Sequence, residues 1–199
     1  MLMAESPRYI VHPHKFNMWL FIITLIMVFG GLTSGYIVDR AAAKDPMFFE
    51  VPSELLSSTI VVLLSSLPVQ FGVWKVRKGQ DIQALVGLLL GLALGAVFML
   101  WQYEGLKAMV EGGLPLVDLE RKAAHGDSSV AFFYVFVALH GIHLVGSFLA
   151  LLVTTIQLAF NKFREGRKVL SVEITATFWH FLGLLWLYLY LFITYTQTL

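Results

Sequence analysis

The sequence predicts an all-α protein: an integral membrane bundle of five transmembrane helices, with its N-terminus cytoplasmic and its C-terminus outside. Three observations carry that expectation. Hydrophobic residues make up 58% of the 199 and charged residues 14%, with a mean hydropathy of +0.76. A soluble domain is about 45–50% apolar and about 25% charged. Five apolar stretches each reach the roughly 20 residues that cross a bilayer as a helix. Lysine and arginine are shared unevenly between alternate loops, and such an excess marks the cytoplasmic side.

The elements follow in order. The first span is expected at about 18–38 and the second at about 55–74. The third falls at about 84–103, the fourth at about 130–160 and the fifth at about 172–196, within a single transmembrane domain covering 1–199. The last two exceed the bilayer thickness, so they tilt or protrude. Charged and turn-forming residues separate them: Asp39, Arg40, Lys44, Asp45 and Pro46; then Lys75, Arg77, Lys78 and Gly79; then Glu111, Gly112, Gly113 and Pro115; then the stretch from Lys162 to Lys168. The first span is too long for a signal-peptide core and has no A-x-A-like cleavage site, so it is read as a helix.

The N-terminal tail and the second and fourth loops hold nine cations: Arg8, Lys15, Lys75, Arg77, Lys78, Lys162, Arg164, Arg167 and Lys168. The first and third loops hold five: Arg40, Lys44, Lys107, Arg121 and Lys122. That asymmetry puts the N-terminus inside. The net charge is +1 and no basic patch forms, so nucleic acid is not an expected partner. The absence of cysteine excludes disulfides, thiolate metal sites and iron–sulfur clusters.

Helices in lipid gain little from burying apolar surface against one another, so small residues at their contacts matter more. The third span carries Gly87, Gly91 and Gly95 on one face, and the first carries Gly31 and Gly35. Both sets predict close helix–helix approach. Pro68, inside the second span, predicts a kink whose freed backbone groups need nearby partners. Trp19, Trp74 and Trp101 stand near span ends, where aromatic belts form.

Ionisable groups at membrane depth are functional candidates by default. His140 and His143 lie three apart on one face of the fourth span, His180 lies in the fifth, and Glu173 begins the fifth. Gln102, Glu104 and Gln157 lie near span ends. Imidazoles suit haem or copper, but an i, i+3 pair on one helix cannot ligate both faces of a haem. No cysteine or methionine cluster completes a copper site. The middles of the first three spans hold no acid or base to carry a proton path. Gly87, Gly91 and Gly95 lack the Lys-Ser/Thr of a phosphate loop. By elimination the residues suggest a scaffold, with the polar groups joining helices.

The last third of the chain adds a specific pattern. Ala131-Phe132-Phe133 leads into Leu139-His140-Gly141-Ile142-His143-Leu144, followed by Gly146; later come Glu173, Phe178-Trp179-His180-Phe181 and Leu185-Trp186-Leu187-Tyr188. This resembles subunit III of the haem–copper oxidases, that is, cytochrome c oxidase and its quinol-oxidising relatives. That family reads F-F, then H-G-x-H-V and a glycine, then E, W-H-F and V-W-L-F/Y. The stretch Met18-Trp19-Leu20-Phe21-Ile22-Ile23 is similar to the start of the family's third helix, so the resemblance covers essentially the whole chain and is weakest in the second span. It implies the short, five-helix form lacking the family's first two helices, which keeps the N-terminus inside.

The resemblance implies a subunit without redox centres or a catalytic site of its own. Haem and copper would sit on partner subunits and a phospholipid on this one. The main partner would be the catalytic subunit I, beside other oxidase subunits, in the bacterial inner membrane. His140, His143, Glu173, Trp179, His180, Trp186, Gly87, Gly91 and Gly95 would then be structural and interface residues. The departures fall on ionisable positions. Leu25 stands where the family's third helix commonly has a glutamate, and Gly183 where an aspartate follows W-H-F. Gln102 is followed by Glu104 and Gly105 instead of completing Q-x-x-E, and Gln157 replaces a lipid-contacting base of some members. A packing signature that outlasts its ionisable groups suits a scaffold. Two alternatives stay open: a nitric-oxide-reductase accessory protein of similar shape, which co-purification would identify, and a b-type cytochrome anchor, which an absorption spectrum would identify.

Overall fold

The computed structural model describes residues 12–43, 51–112, 129–163 and 167–198. Five helices, each long and apolar enough to cross a membrane, fill almost all of them: α1 (Pro13–Ala42), α2 (Ser53–Arg77), α3 (Asp81–Glu111), α4 (Ser129–Ala159) and α5 (Lys168–Thr198). The expected all-α, five-span membrane architecture is borne out. Arg8, Lys44, Asp45, Pro46, Gly113, Pro115, Arg121, Lys122 and Arg164 lie outside the described residues.

Each helix outlasts its apolar stretch because the ends are supported locally. Pro13 sits at the first position of α1, where its missing N–H costs no hydrogen bond, and the His12 ring accepts from His14 N at 3.3 Å. Glu54 and Asp81 lie in the first turns of α2 and α3, and Lys75 and Arg77 in the last turn of α2, each complementing the helix dipole. Between α2 and α3, Gly79 adopts a φ of +69°, Gly79 N donates to Val76 O at 3.0 Å and Gln80 N to Lys75 O at 3.0 Å. This is a Schellman end, and glycine enters its left-handed backbone freely. Asn161, at φ +49°, closes α4 with the same pair of bonds, to Leu158 O and from Lys162 N to Gln157 O. Asparagine is the usual substitute for glycine there.

The chain runs up and down, with α1, α4, α3 and α2 forming an arc around α5. Half of the most apolar stretch of α5 is buried within the protein, against 28% for α1 and for α4. The α2–α3 hairpin is the tightest pair. A Cβ built on Gly87 would lie 2.7 Å from Pro68 O and 2.9 Å from Gly72 N, so two backbones meet there. A Cβ on Gly91 would collide with the Val69 side chain. Gly95 turns elsewhere: its Cβ would strike the Trp179 ring of α5 at 2.5 Å and approach Phe148 of α4 at 3.4 Å. The glycine face of α3 therefore serves three neighbours in succession. The expectation for α1 needs correcting. Gly31 has nothing within 4 Å, and Gly35 meets only the Phe132 ring at an ordinary 3.5 Å. Spacing alone does not say which face of an edge helix meets protein and which meets lipid.

Candidate functional site

The tryptophans of the α5 motif and Gln102 of α3 meet the second helix, whose hydroxyls receive them. Trp179 and Trp186 are both almost fully buried. Trp179 Nε1 donates to Ser65 Oγ at 2.9 Å and Trp186 Nε1 to Thr59 Oγ1 at 3.0 Å. Gln102 Nε2 of α3 donates to Ser58 Oγ at 2.9 Å. Each hydroxyl passes its own proton back to its helix: Ser65 to Val62 O, and Ser58 and Thr59 to Leu55 O. One row of α2 hydroxyls thus accepts from α3 and α5 while leaving no hydroxyl donor exposed to hydrocarbon, where an unpaired group costs several kcal/mol.

The three histidines diverge. His140 is 2% exposed and packs at a tilt against Trp186, with ring centroids 5.0 Å apart. His143 donates from Nδ1 to the Leu139 carbonyl of its own helix at 2.7 Å, and its ring faces Phe21 of α1 at 6.0 Å. His180 Nε2 lies 3.2 Å from Gln70 Oε1 of α2. Of the three, only His180 makes a hydrogen bond between helices, and it makes it to α2 rather than to α4. Among the described residues no group of three or more His, Cys, Asp or Glu could hold a metal ion.

Ion pairs gather at the end of the bundle that carries the start of α1. Glu173 of α5 receives Lys15 Nζ of α1 at 2.5 Å and Arg77 Nε of α2 at 2.7 Å. Lys168 Nζ of α5 reaches Asp81 Oδ2 of α3 at 2.6 Å. Those two carboxylates therefore tie α5 to three other helices. At the opposite end Tyr36 OH accepts from Arg40 and Gln197 at 3.3 Å and lies 3.3 Å from Thr196 Oγ1, whose own proton goes to Ile193 O at 2.9 Å, within a cage of Phe132, Phe136 and Phe192.

Two cavities lie along the seam between α1 and α5. One, of about 200 Å³, is lined among others by Lys15, Trp19, Gln70, Arg77, Glu173 and His180. The other, of about 400 Å³, is apolar and lined by Ile26, Phe29, Gly30, Phe181, Leu184, Leu185 and Tyr188. Leu25 is buried in the apolar core.

The sequence reading missed the α2 acceptors. A signal existed: Ser57, Ser58, Thr59, Ser65, Ser66 and Gln70 interrupt an otherwise apolar span, and the two acceptors Thr59 and Ser65 stand six apart, close to the seven-residue step of Trp179 and Trp186. Hydroxyls that can bond to their own helix carry no obligation to face a partner, which is why spacing alone does not pair them.

Comparison with known proteins points to one family. The family described as cytochrome c oxidase subunit III matches residues 7–198. The chain is similar to cytochrome c oxidase subunit 3 of Corynebacterium diphtheriae, at 25% identity over 89% of this chain and 85% of that one. It is similar to the probable cytochrome c oxidase subunit 3 of Nocardia farcinica, at 27% over 83% and 79%. It is also similar to the probable quinol oxidase subunit 3 of Staphylococcus haemolyticus, at 24% over 89% and 86%.

Proposed function

The chain belongs to the cytochrome c oxidase subunit III family, and from that premise we propose that it is the non-redox scaffold of a respiratory haem–copper terminal oxidase, packed against catalytic subunit I. As a subunit III it is a multi-pass membrane component of a multi-subunit oxidase. In the proposed role it holds lipid and keeps proton uptake and turnover stable, while oxygen reduction proceeds on partner subunits. Its place is the bacterial cytoplasmic membrane, with the N-terminus inside. The relatives' names divide between cytochrome c and quinol oxidases, which fits a subunit that does not itself meet the electron donor.

One observation carries the scaffold reading: the two tryptophans of the family pattern both spend their only polar atom on an α2 hydroxyl. Groups bound into helix–helix contacts hold a shape; they present no reactive atom. The α1–α5 seam supports the lipid role, since Lys15 and Arg77 against the one carboxylate of Glu173 leave a net positive charge at one end, and an apolar cavity lies further along, matching a phospholipid's head and tail.

The test separates holding from chemistry. In His143→Leu and His180→Leu complexes verified to retain the subunit, the initial oxygen-consumption rate should stay near wild type. Retention should weaken and activity should decay faster during turnover. His180→Leu removes a bond to Gln70 of α2, and such bonds between helices average about 0.6 kcal/mol in membranes; His143, bonded only within α4, should show the smaller loss of retention. First turnovers slowed by about tenfold, about 1.4 kcal/mol on the barrier, would place these histidines in the chemistry and end the scaffold reading.

A further inference from the structure

The core contains a polar layer whose hydrogen bonds do not close within the protein. Gly95, Trp179 and Phe148 meet at one level of the bundle. Moving seven residues along each helix, a rise of about 10 Å, reaches Gln102, Trp186 and, on the antiparallel α4, Gly141 beside His140. This second level is tied together by Gln102 to Ser58 at 2.9 Å, by Trp186 to Thr59 at 3.0 Å and by the His140 ring on Trp186 at 5.0 Å. Phe98 meets the same Trp186 edge-on at 6.2 Å. Four helices therefore contribute to it.

Within that layer the two ring nitrogens of His140 and Oε1 of Gln102 are buried and meet no protein partner. A neutral imidazole has one N–H to give and one lone pair to fill, and an amide oxygen only accepts. Leaving such groups unmet in a low-dielectric interior is expensive, which is why buried polar atoms are almost always bonded, by protein or by ordered water. His140 lies too deep for lipid or a partner chain to reach. The occupant must be small and able both to donate and to accept.

We propose that this layer is a binding site for one ordered water molecule, which accepts from the His140 N–H and donates to Gln102 Oε1. Two polar partners are the minimum such a water needs, and the Ser58 and Thr59 hydroxyls, which hold Gln102 and Trp186 in the same layer, each keep a lone pair to spare. The water joins α4 to the α2–α3 hairpin at a level where α3 and α4 each set an aromatic ring against Trp186 of α5. It also gives a reason for histidine, in place of a phenylalanine of similar volume, at this buried position. The inference concerns the chain's own core and does not depend on the oxidase reading.

The unmodified native complex, mapped near 2 Å, should show a compact density peak within hydrogen-bond distance of both His140 and Gln102 Oε1. In the same complex, His140→Phe and Gln102→Leu should each lower the temperature at which this subunit dissociates, by ~3 °C for each kcal/mol lost. The double variant should fall no further than the worse single one, because either change evicts the same water. A map with no peak in that layer overturns the proposal. So does a His140→Phe complex as stable as its parent, or a double variant whose loss equals the sum of the two.

Discussion

One added methyl group at Gly87 would meet two pieces of backbone, Pro68 O at 2.7 Å and Gly72 N at 2.9 Å. Neither can rotate away, so Gly87→Ala must push α3 off α2. Overpacking of this kind typically costs about 1–3 kcal/mol. Gly31→Ala is the matched control, since nothing lies within 4 Å of its built Cβ. Alanine should be neutral or favourable there, because glycine in a helix interior is about 1 kcal/mol worse than alanine. Thermal dissociation of the two variant complexes checks the contrast: a clear loss is expected for Gly87→Ala and none for Gly31→Ala. Both glycines are equally visible in the sequence. What distinguishes them is whether the helix face beneath is covered, and that depends on residues some fifteen to nineteen positions back in α2 or on open lipid.

The element that organises the bundle is α5. It meets α1, α2 and α4 along its length and reaches α3 through Trp179. Its Lys15-side end is fastened by charge. Glu173 is 13% exposed in its side chain, while its partners Lys15 and Arg77 are 43% and 53% exposed. Exposed ion pairs are worth only ~0–1 kcal/mol each and are screened by salt. Glu173→Gln should therefore leave the helices folded but loosen α1, the edge helix, at its Lys15 end. Hydrogen exchange in the first turns of α1 should rise in the variant. Raising the ionic strength should speed exchange in the parent protein and leave the variant almost unchanged. Equal salt responses in the two would show that Glu173 does not fasten α1. The sequence marked Glu173 as a candidate through its place at the start of a span. Its two partners both precede it, one more than ninety residues back and the other about a hundred and sixty, a pairing that no local pattern contains.

For the molecule as a whole, orientation is the proposal most open to direct test. Lys15, Arg77 and Lys168 share one end of the bundle with their acidic partners, and they belong to the loops that carry nine of the fourteen cations. An excess of this kind sets topology through lysine and arginine, with little effect from the acids that pair with them. A reporter active only outside the cytoplasm should be silent when fused to the N-terminus and active when fused to the C-terminus. The reverse pattern would overturn the orientation.

Span number, helical class and family were legible in the sequence because they depend on local quantities. An apolar run of bilayer length can satisfy its backbone only as a helix or within a barrel, and the tryptophan and histidine pattern of the last third is contiguous text. The tertiary structure decided how those residues are used. It directed Trp179 and Trp186 onto Ser65 and Thr59, sent the three histidines to three different neighbours, and gave contact to Gly87 but not to Gly31. In lipid an apolar side chain is as well solvated outside the bundle as within it, so hydrophobic pattern does not distinguish the inner face of a helix from the outer. Close fit of small residues and closure of hydrogen bonds make that choice, and both exist only once the helices are side by side.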